Sequence, residues 1–446
     1  MRESLDRPNF ILIICDDLGY GDLGCYGSEV HSTPRLDQAA AEGVRFTEFY
    51  SGSPVCSPSR AALMTGCYPQ RVGLGVGADH PVLMPGDPIG LDPSEVTIAN
   101  ALKQEGYATS IVGKWHLGDQ PEFLPSNHGF DEYFGIPYSN DMGLQSGLAE
   151  QGYVTPPLPL LRQDRVSEVE PDQTSLSARY SEEALSFIEK NHDRPFFLYI
   201  AHVYVHGPRY PPAEYLARSR NGAYGAEVEH LDWCTGAILD KLEEFGIDEN
   251  TVLIFTSDHG SSSGSNLPLR GGKGSTWEGG VRVPCIMRWP GVVTGGTVRN
   301  DILAFMDVLP TLCELAGGDI PSGSTDGRSF KDLLLEGSNG PRNAYFYYRS
   351  NRLEAVRIGK WKLHVETTEL YDLEADVGET EDIADAHPEV VSRLEAAAQT
   401  CRRDLGDATL RHLHRGVGCR PPGRVANPVT ILPAEKLSAP TIKPVY

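Results

Sequence analysis

Four short apolar runs, each stopping at charged or imidazole residues, constrain this chain more than any other feature. They are NFILIIC (9–15), ATSIVG (108–113), RPFFLYIAHV (194–203) and NTVLIFTSD (250–258). None alternates apolar with polar residues, so each strand is expected to be covered on both faces. Helical patterns lie between them. TIANALKQEGY (97–107) reads as a helix ending at Gly106. Residues 226–245 place Val228, Leu231, Ile238, Leu239, Leu242 and Phe245 on or near one face. Strand–helix–strand alternation of this kind predicts an α/β fold, with a mostly parallel sheet sandwiched by helices. After about residue 335 the texture changes. NAYFYYRSNRLEAVRIGKWKLHVETTELYDLE reads as short antiparallel strands, and PEVVSRLEAAAQTCRRDL (388–405) as a helix. The expected organisation is a larger α/β unit over 1–335 and a smaller C-terminal α+β subdomain over 336–446 that closes in an extended, proline-rich tail.

In an open α/β sheet, ligands bind beyond the carboxyl ends of the strands. The four runs lead there into Asp16-Asp17, into Lys114 and His116 of GKWHLG, into His202 and His206 of AHVYVHGP, and into Asp258-His259 of SDHG. Adjacent carboxylates repel unless a cation compensates. Asp16, Asp17 and Asp258 together make an oxygen-rich set suited to Ca²⁺ or Mg²⁺, although Asp16-Asp17 also suits a helix N-cap. Arg60, Lys114 and Lys273 supply more positive charge than such a set needs, which implies an anionic substrate group such as sulfate or phosphate. The glycine-rich LRGGKGSTWEGGVRVP (269–284) either brings Lys273 and backbone to that anion or is a solvent loop.

Charge and composition exclude several classes. The 446 residues carry a formal net charge of −22, which argues against sequence-independent nucleic-acid binding and disfavours long polyanions, unless a local basic pocket overrides the field. No apolar run approaches the roughly 20 residues that span a bilayer. The first residues do not read as a secretory leader, so the expected location is cytoplasmic, or extracytoplasmic if a leader has been removed. The nine cysteines include no CxxC pair, which speaks against a zinc or disulfide framework. Cys15, Cys285 and Cys313 lie in apolar runs and read as buried thiols. Cys56, in SPVCSPSRAALMTG, stands apart, with an arginine one helical turn later. It reads as a reactive thiolate, a metal ligand, half of a disulfide, or the precursor of something made from cysteine.

The run CSPSR (56–60) resembles the signature of type I sulfatases, in which the cysteine is oxidised after translation to Cα-formylglycine. It is joined in the family's order by DDLGYGDLGCYG (16–27), GKWHLG (113–118), HGFDEYFGIPYSNDMG (128–143), SDHG (257–260), GGKGSTWEGGVRVP (271–284) and ELYDLEADVGE (369–379). The texture is most similar to the arylsulfatase A and N-acetylgalactosamine-6-sulfatase group. The resemblance covers nearly the whole chain and implies the alkaline-phosphatase-like fold, with an antiparallel sheet in the C-terminal subdomain.

What the resemblance implies for the site is specific. Asp16, Asp17, Asp258 and His259 match metal ligands for Ca²⁺ or Mg²⁺, with an oxygen of the modified Cys56 beside the same ion. Imidazole is an unusual ligand for calcium, which sets His259 apart from the other three. Arg60 and Lys114 match residues that hold the formylglycine hydrate. His116 matches the base that releases sulfate from the sulfated intermediate. His206 and Lys273 match groups that contact the sulfate and help the leaving oxygen depart, and Ser139 matches a serine lining the same pocket. His202 and Asn140 are expected nearby without assigned chemistry. An unmodified thiol would form an adduct that is awkward to hydrolyse. An aldehyde hydrate offers one hydroxyl to attack sulfur and a second to expel sulfate.

The implied activity is hydrolysis of a sugar or aryl sulfate monoester, after maturation by a formylglycine-generating enzyme, on a sulfated small molecule or a terminal sugar sulfate. The alternatives are a phosphonate monoester or phosphodiester hydrolase of the same superfamily and a non-catalytic sulfoglycan-binding relative. Loops 70–95, 143–175 and 208–225 are expected to set substrate choice.

Overall fold

The computed structural model describes residues 7–146, 155–321 and 325–431. Its main sheet runs, from one edge, through Thr297–Arg299, Val44–Tyr50, Arg282–Arg288, Thr251–Ser257, Asn9–Cys15, Phe196–Ala201, Ala108–Gly113, Glu132–Gly135, Pro159–Arg162 and Arg165–Val169. The central pairings are parallel. Arg282–Arg288 is antiparallel to both of its neighbours.

The continuous apolar runs are explained by two separate cores. Phe10, Leu12 and Ile14 pack on one face with Phe197, Tyr199, Val252 and Ile254, under the helices Cys56–Thr65, Ile98–Gln104 and Val308–Leu315. Ile11, Ile13 and Cys15 pack on the other with Leu198, Ile200, Leu253 and Phe255, under Pro34–Glu42, Gln173–Asn191 and Gly222–Glu244. Strand side chains alternate between faces, so a strand covered on both sides has to be apolar throughout. The helix expected over 226–245 is Gly222–Glu244. Cys15, Cys285 and Cys313 are buried free thiols.

The register brings the strand ends into line. Ile14 pairs with Ala201 and Cys15 with Ser257. One step further, the Asp258 N–H donates to the carbonyl of Cys15 at 2.9 Å, that of Lys114 to Ala201 at 2.8 Å, and that of His202 to Ile14 at 2.9 Å. Asp16, Lys114, His202 and Asp258 therefore leave the sheet at one rim. Gly113 makes the tight exit possible, since a Cβ there would lie 2.0 Å from the carbonyl oxygen of Ala201.

The C-terminal sheet, Ala344–Arg349, Arg352–Ile358, Trp361–His364 and Glu369–Asp372, is antiparallel throughout and carries the helix Pro388–Leu405. Its Tyr345, Tyr347 and Leu353 share one core with Phe49 and Tyr50 of the main sheet. The expected tail beyond residue 431 lies outside the described residues.

Candidate active site

Cys56 is the first residue of the helix Cys56–Thr65, all ten residues of which are buried. That position faces the positive end of the helix dipole. The helix is fastened at its start. Ser59 Oγ donates to the backbone carbonyl of Asp258 at 2.5 Å, and Ser57 Oγ accepts the N–H of Leu83 at 3.1 Å. Neither serine was singled out by sequence reasoning beyond its place in the motif.

Around Cys56 the strand-end residues converge. The ligand atoms of Asp16, Asp17, Cys56 and His259 all lie within 4.8 Å of one another. Cys56 Sγ is 3.2 Å from His259 Nε2 and 3.5 Å from Asp16 Oδ1. His259 Nδ1 is 3.0 Å from the Gly260 carbonyl. A carbonyl can only accept, so Nδ1 carries a proton, and Nε2 is the nitrogen turned toward this cluster. Asp258 lies beside the group but is otherwise engaged: Arg60 Nη2 and Nε reach its Oδ2 at 3.0 and 3.2 Å, while its Oδ1 is 3.5 Å from His259 Nε2. His259, the histidine set apart above, is thus more central than Asp258. Asp17 sits in the left-handed region at φ 66, as His116 does at φ 60. Strain of this kind in non-glycine residues concentrates at functional sites.

The cations are interleaved with these carboxylates. Lys114 Nζ contacts Asp16 Oδ2 directly and reaches Ser139 Oγ at 3.0 Å. Lys273 Nζ holds both oxygens of Asp17, at 2.8 and 3.0 Å. Arg60 Nη1 also donates to the carbonyl of Lys114 at 3.0 Å. Burial opposes the charge on Asp16, but Lys114, His206, Arg60 and Lys273 hold its carboxyl well below the ordinary range. Asp17 is lowered as well, against burial, chiefly by Lys273. Three carboxylates thus face three cations, so a divalent ion added here leaves the pocket net positive within an acidic protein. The Cys56 thiol is pushed well above its usual value by burial and by the Asp16 charge, so the unmodified side chain is no thiolate nucleophile.

The histidines occupy different positions. His206 Nε2 is 4.0 Å from Asp17 Oδ2. His116 makes no hydrogen bond to another member of the set among the described residues; its Nε2 meets the carbonyl of Leu83 at 2.9 Å. His202 and Asn140 are buried nearby. Burial and the neighbouring His230 lower His202 to about 3.

The loop bearing Lys273 is held from two sides. Toward the site, the Gly274 N–H donates to the Pro54 carbonyl at 2.9 Å and that of Gly260 to Gly280 at 3.0 Å. The latter approach requires glycine, because a Cβ at 260 would lie 1.7 Å from the Gly279 carbonyl oxygen. Away from the site, the C-terminal sheet grips the loop. Lys362 Nζ donates to Thr276 O at 2.8 Å and Glu278 Oε1 at 3.1 Å, and it pairs with Glu379 Oε1 at 2.7 Å. Glu379 Oε2 accepts the N–H of Glu278 at 2.7 Å. Lys362, Glu278 and Glu379 are fully buried. Their role was invisible in the sequence, where Glu278 and Glu379 appear only inside motif runs.

Comparison with known proteins places this geometry. The Sulfatase family model matches residues 8–318, and the model for the C-terminal part of N-sulphoglucosamine sulphohydrolase matches 272–404. The chain is 40% identical to human arylsulfatase A over 443 residues, spanning 87% of this chain and 86% of that protein. It is 40% identical to rat (Rattus norvegicus) N-acetylgalactosamine-6-sulfatase over 388 residues, spanning 81% and 72%. Among solved structures it resembles Ps i-CgsB in complex with k-i-k-neocarrahexaose, with a TM-score of 0.78 at 29% identity over 89% of this chain and 92% of that one. The chain belongs to the sulfatase family and is a sulfuric ester hydrolase.

Proposed function

We propose that the enzyme hydrolyses a sulfate monoester of a sugar or aryl alcohol, using a Cα-formylglycine made from Cys56 and a calcium or magnesium ion held by Asp16, Asp17, Asp258 and His259. The observation that carries this reading is the meeting of Cys56 Sγ with His259 Nε2 and Asp16 Oδ1 at a buried helix N-terminus. The donor set fits a divalent ion: two carboxylates and an imidazole nitrogen converge with residue 56, and oxidation of Cys56 would replace sulfur there by oxygen, the ligand such ions prefer. When bound, the ion would offset charge developing on the sulfuryl oxygens and the nucleophile. When formed, the hydrated aldehyde would supply one hydroxyl to attack sulfur and a second whose deprotonation frees sulfate.

The chain's own residues do the rest. Lys114, Lys273 and Ser139 hold the sulfuryl oxygens, and Arg60 keeps residue 56 and Asp258 in place. His206, beside Asp17 at the mouth of the pocket, protonates the leaving oxygen. His116 accepts a proton at Nδ1. Maturation requires a formylglycine-generating enzyme. The relatives' names divide between aryl and sugar esters, and the complex of Ps i-CgsB with a neocarrahexaose supports a saccharide.

The test is turnover of 4-nitrophenyl sulfate against a 4-nitrophenyl phosphonate monoester by protein matured in a host with formylglycine-generating activity. Faster release of inorganic sulfate is expected. Preference for the phosphonate ester would replace this reading with phosphonate or phosphodiester hydrolysis.

A further inference from the structure

We propose that Asp119 is a positioning residue for His116, because it anchors the turn that aims the Leu83 carbonyl at the His116 ring. The inference rests on the reading of His116 as a proton acceptor above and adds a residue which that reading does not use.

Leu83 is held through both of its backbone polar groups. Its N–H donates to Ser57 Oγ at 3.1 Å, and its carbonyl faces His116 Nε2 at 2.9 Å. One peptide segment thus joins the residue after Cys56 to His116. Nδ1 of the ring has no hydrogen-bond partner among the described residues, so the bond to Leu83 is the ring's one orienting hydrogen bond there. Where that carbonyl stands decides which nitrogen keeps the proton and which is left basic.

The residues that follow Leu83 form a turn, MPGD (84–87). The Asp87 N–H closes it on the Met84 carbonyl at 3.1 Å, and Asp87 Oδ2 accepts the Met84 N–H at 2.9 Å. Such a turn uses its last N–H internally, so the Gly86 N–H needs an outside acceptor. Asp119 Oδ2 supplies one at 2.7 Å. Segments 83–86 and 116–119 are therefore tied at both ends, His116 to Leu83 and Asp119 to Gly86. The carboxylate is itself fixed. Asp119 is buried, and its Oδ1 accepts from Gln120 Nε2 at 3.1 Å. Gln120 in turn makes two hydrogen bonds to the backbone of Val429, at 2.9 and 2.7 Å. Burial pushes the Asp119 carboxyl up to about 6, so at neutral pH it is chiefly the anion and a strong acceptor. Removing it frees the turn, and the Leu83 carbonyl with it. The ring then exchanges tautomers, and Nδ1 is no longer held as the basic nitrogen.

The experiment is a double-mutant cycle on matured enzyme: the parent, Asp119→Ala, His116→Ala and the pair, with Asp119→Asn as the conservative variant. Turnover of 4-nitrophenyl sulfate is expressed per aldehyde-bearing protein, counted by mass spectrometry. Asp119→Ala should lower kcat by at least about tenfold. Its kcat/KM, which reports events up to departure of 4-nitrophenolate, should stay within about twofold, because His116 acts after that departure. Asp119→Asn has one acceptor oxygen for Gly86 and Gln120 together, so it should recover only part of kcat. Adding Asp119→Ala to His116→Ala should lower kcat by less than about twofold, because Asp119 acts through the ring. In protein made without maturation, nitrogen NMR of labelled histidine should show the Nε2–H form of His116 in the parent and a mixture of tautomers in Asp119→Ala, with His116→Ala assigning the signal. The proposal is overturned if Asp119→Ala keeps the parental kcat, if the two losses multiply in the pair, or if the tautomer is the same in both proteins. Melting temperatures separate loss of fold from loss of positioning. Should the alanine form be unfolded, the same cycle is run with Asp119→Asn, and a parental kcat in that variant overturns the proposal. If His116→Ala itself keeps the parental kcat, the reading of His116 as proton acceptor has failed, and this inference with it.

Discussion

His116 donates its Nε2–H to the carbonyl of Leu83 at 2.9 Å, which fixes the tautomer and leaves Nδ1 as the one basic nitrogen of the ring. Nδ1 is buried and has no hydrogen-bond partner among the described residues, the state expected of a base waiting for a proton.

The first prediction follows from that environment. Burial, with the charges of Lys114 and Arg60, holds His116 well below its ordinary value of 6.5. The ring stays neutral in the folded protein as pH falls through that value, so the decline of kcat due to this group should begin only below the usual histidine range. His116→Ala should lower kcat by about 10²–10⁴-fold. The unfolded chain binds the proton near pH 6.5 and the folded chain does not, so the contribution of His116 to stability is full above that pH and falls as pH drops below it. A kcat–pH profile checks the first part and melting temperatures over the same range check the second.

The second concerns the carboxylates. Asp16→Asn or Asp17→Asn removes an anionic donor from the converging group and leaves Lys114 or Lys273 facing an amide. Bound calcium or magnesium, read by elemental analysis, should fall in both variants together with activity. A full metal complement in both would contradict the assigned ligands.

The third concerns the grip of the C-terminal sheet. Lys362→Met removes the cation between Glu278 and Glu379 and leaves two carboxylates buried near each other. Removing one partner of a buried ion pair costs about 3–5 kcal/mol, so the variant should melt well below the parent. Because the same contacts hold the loop of Lys273, any folded fraction should show raised KM. A melting temperature unchanged from the parent would count against this network.

The fourth concerns the thiol. In protein made without maturation, burial and the Asp16 charge keep Cys56 protonated, so iodoacetamide at neutral pH should label it more slowly than it labels Cys56 in the unfolded chain. Peptide mass spectrometry reads the difference, and equal rates would show that the raised pKa is wrong.

Much of this was legible in the chain and some was not, for physical reasons. The strands at 9–15, 108–113 and 251–257 announced themselves because burial on both faces forbids polar residues, and the polar residue just past each had to fall at the sheet's carboxyl edge. Cys56, Arg60, Lys114 and Lys273 stood out because such residues in fixed local spacing are rare. The balance between Asp258 and His259 was not legible, because it depends on which side chain Arg60 reaches across the sheet. Nor was the link of His116 to Leu83, since that partner is a backbone carbonyl and any residue supplies one. The Lys362–Glu278–Glu379 cluster joins segments about eighty to a hundred residues apart in sequence, and no local pattern encodes such a meeting.

The central claim is that residue 56 supplies the nucleophile only after its thiol has become an aldehyde. The direct measurement makes a series of preparations with graded formylglycine-generating activity, quantifies thiol and aldehyde forms of the peptide around Cys56 by mass spectrometry, and plots the initial rate of sulfate release against aldehyde fraction. The account predicts a straight line through the origin, with no activity in Cys56→Ala. Sulfate release at zero aldehyde fraction, or a rate independent of that fraction, would contradict it.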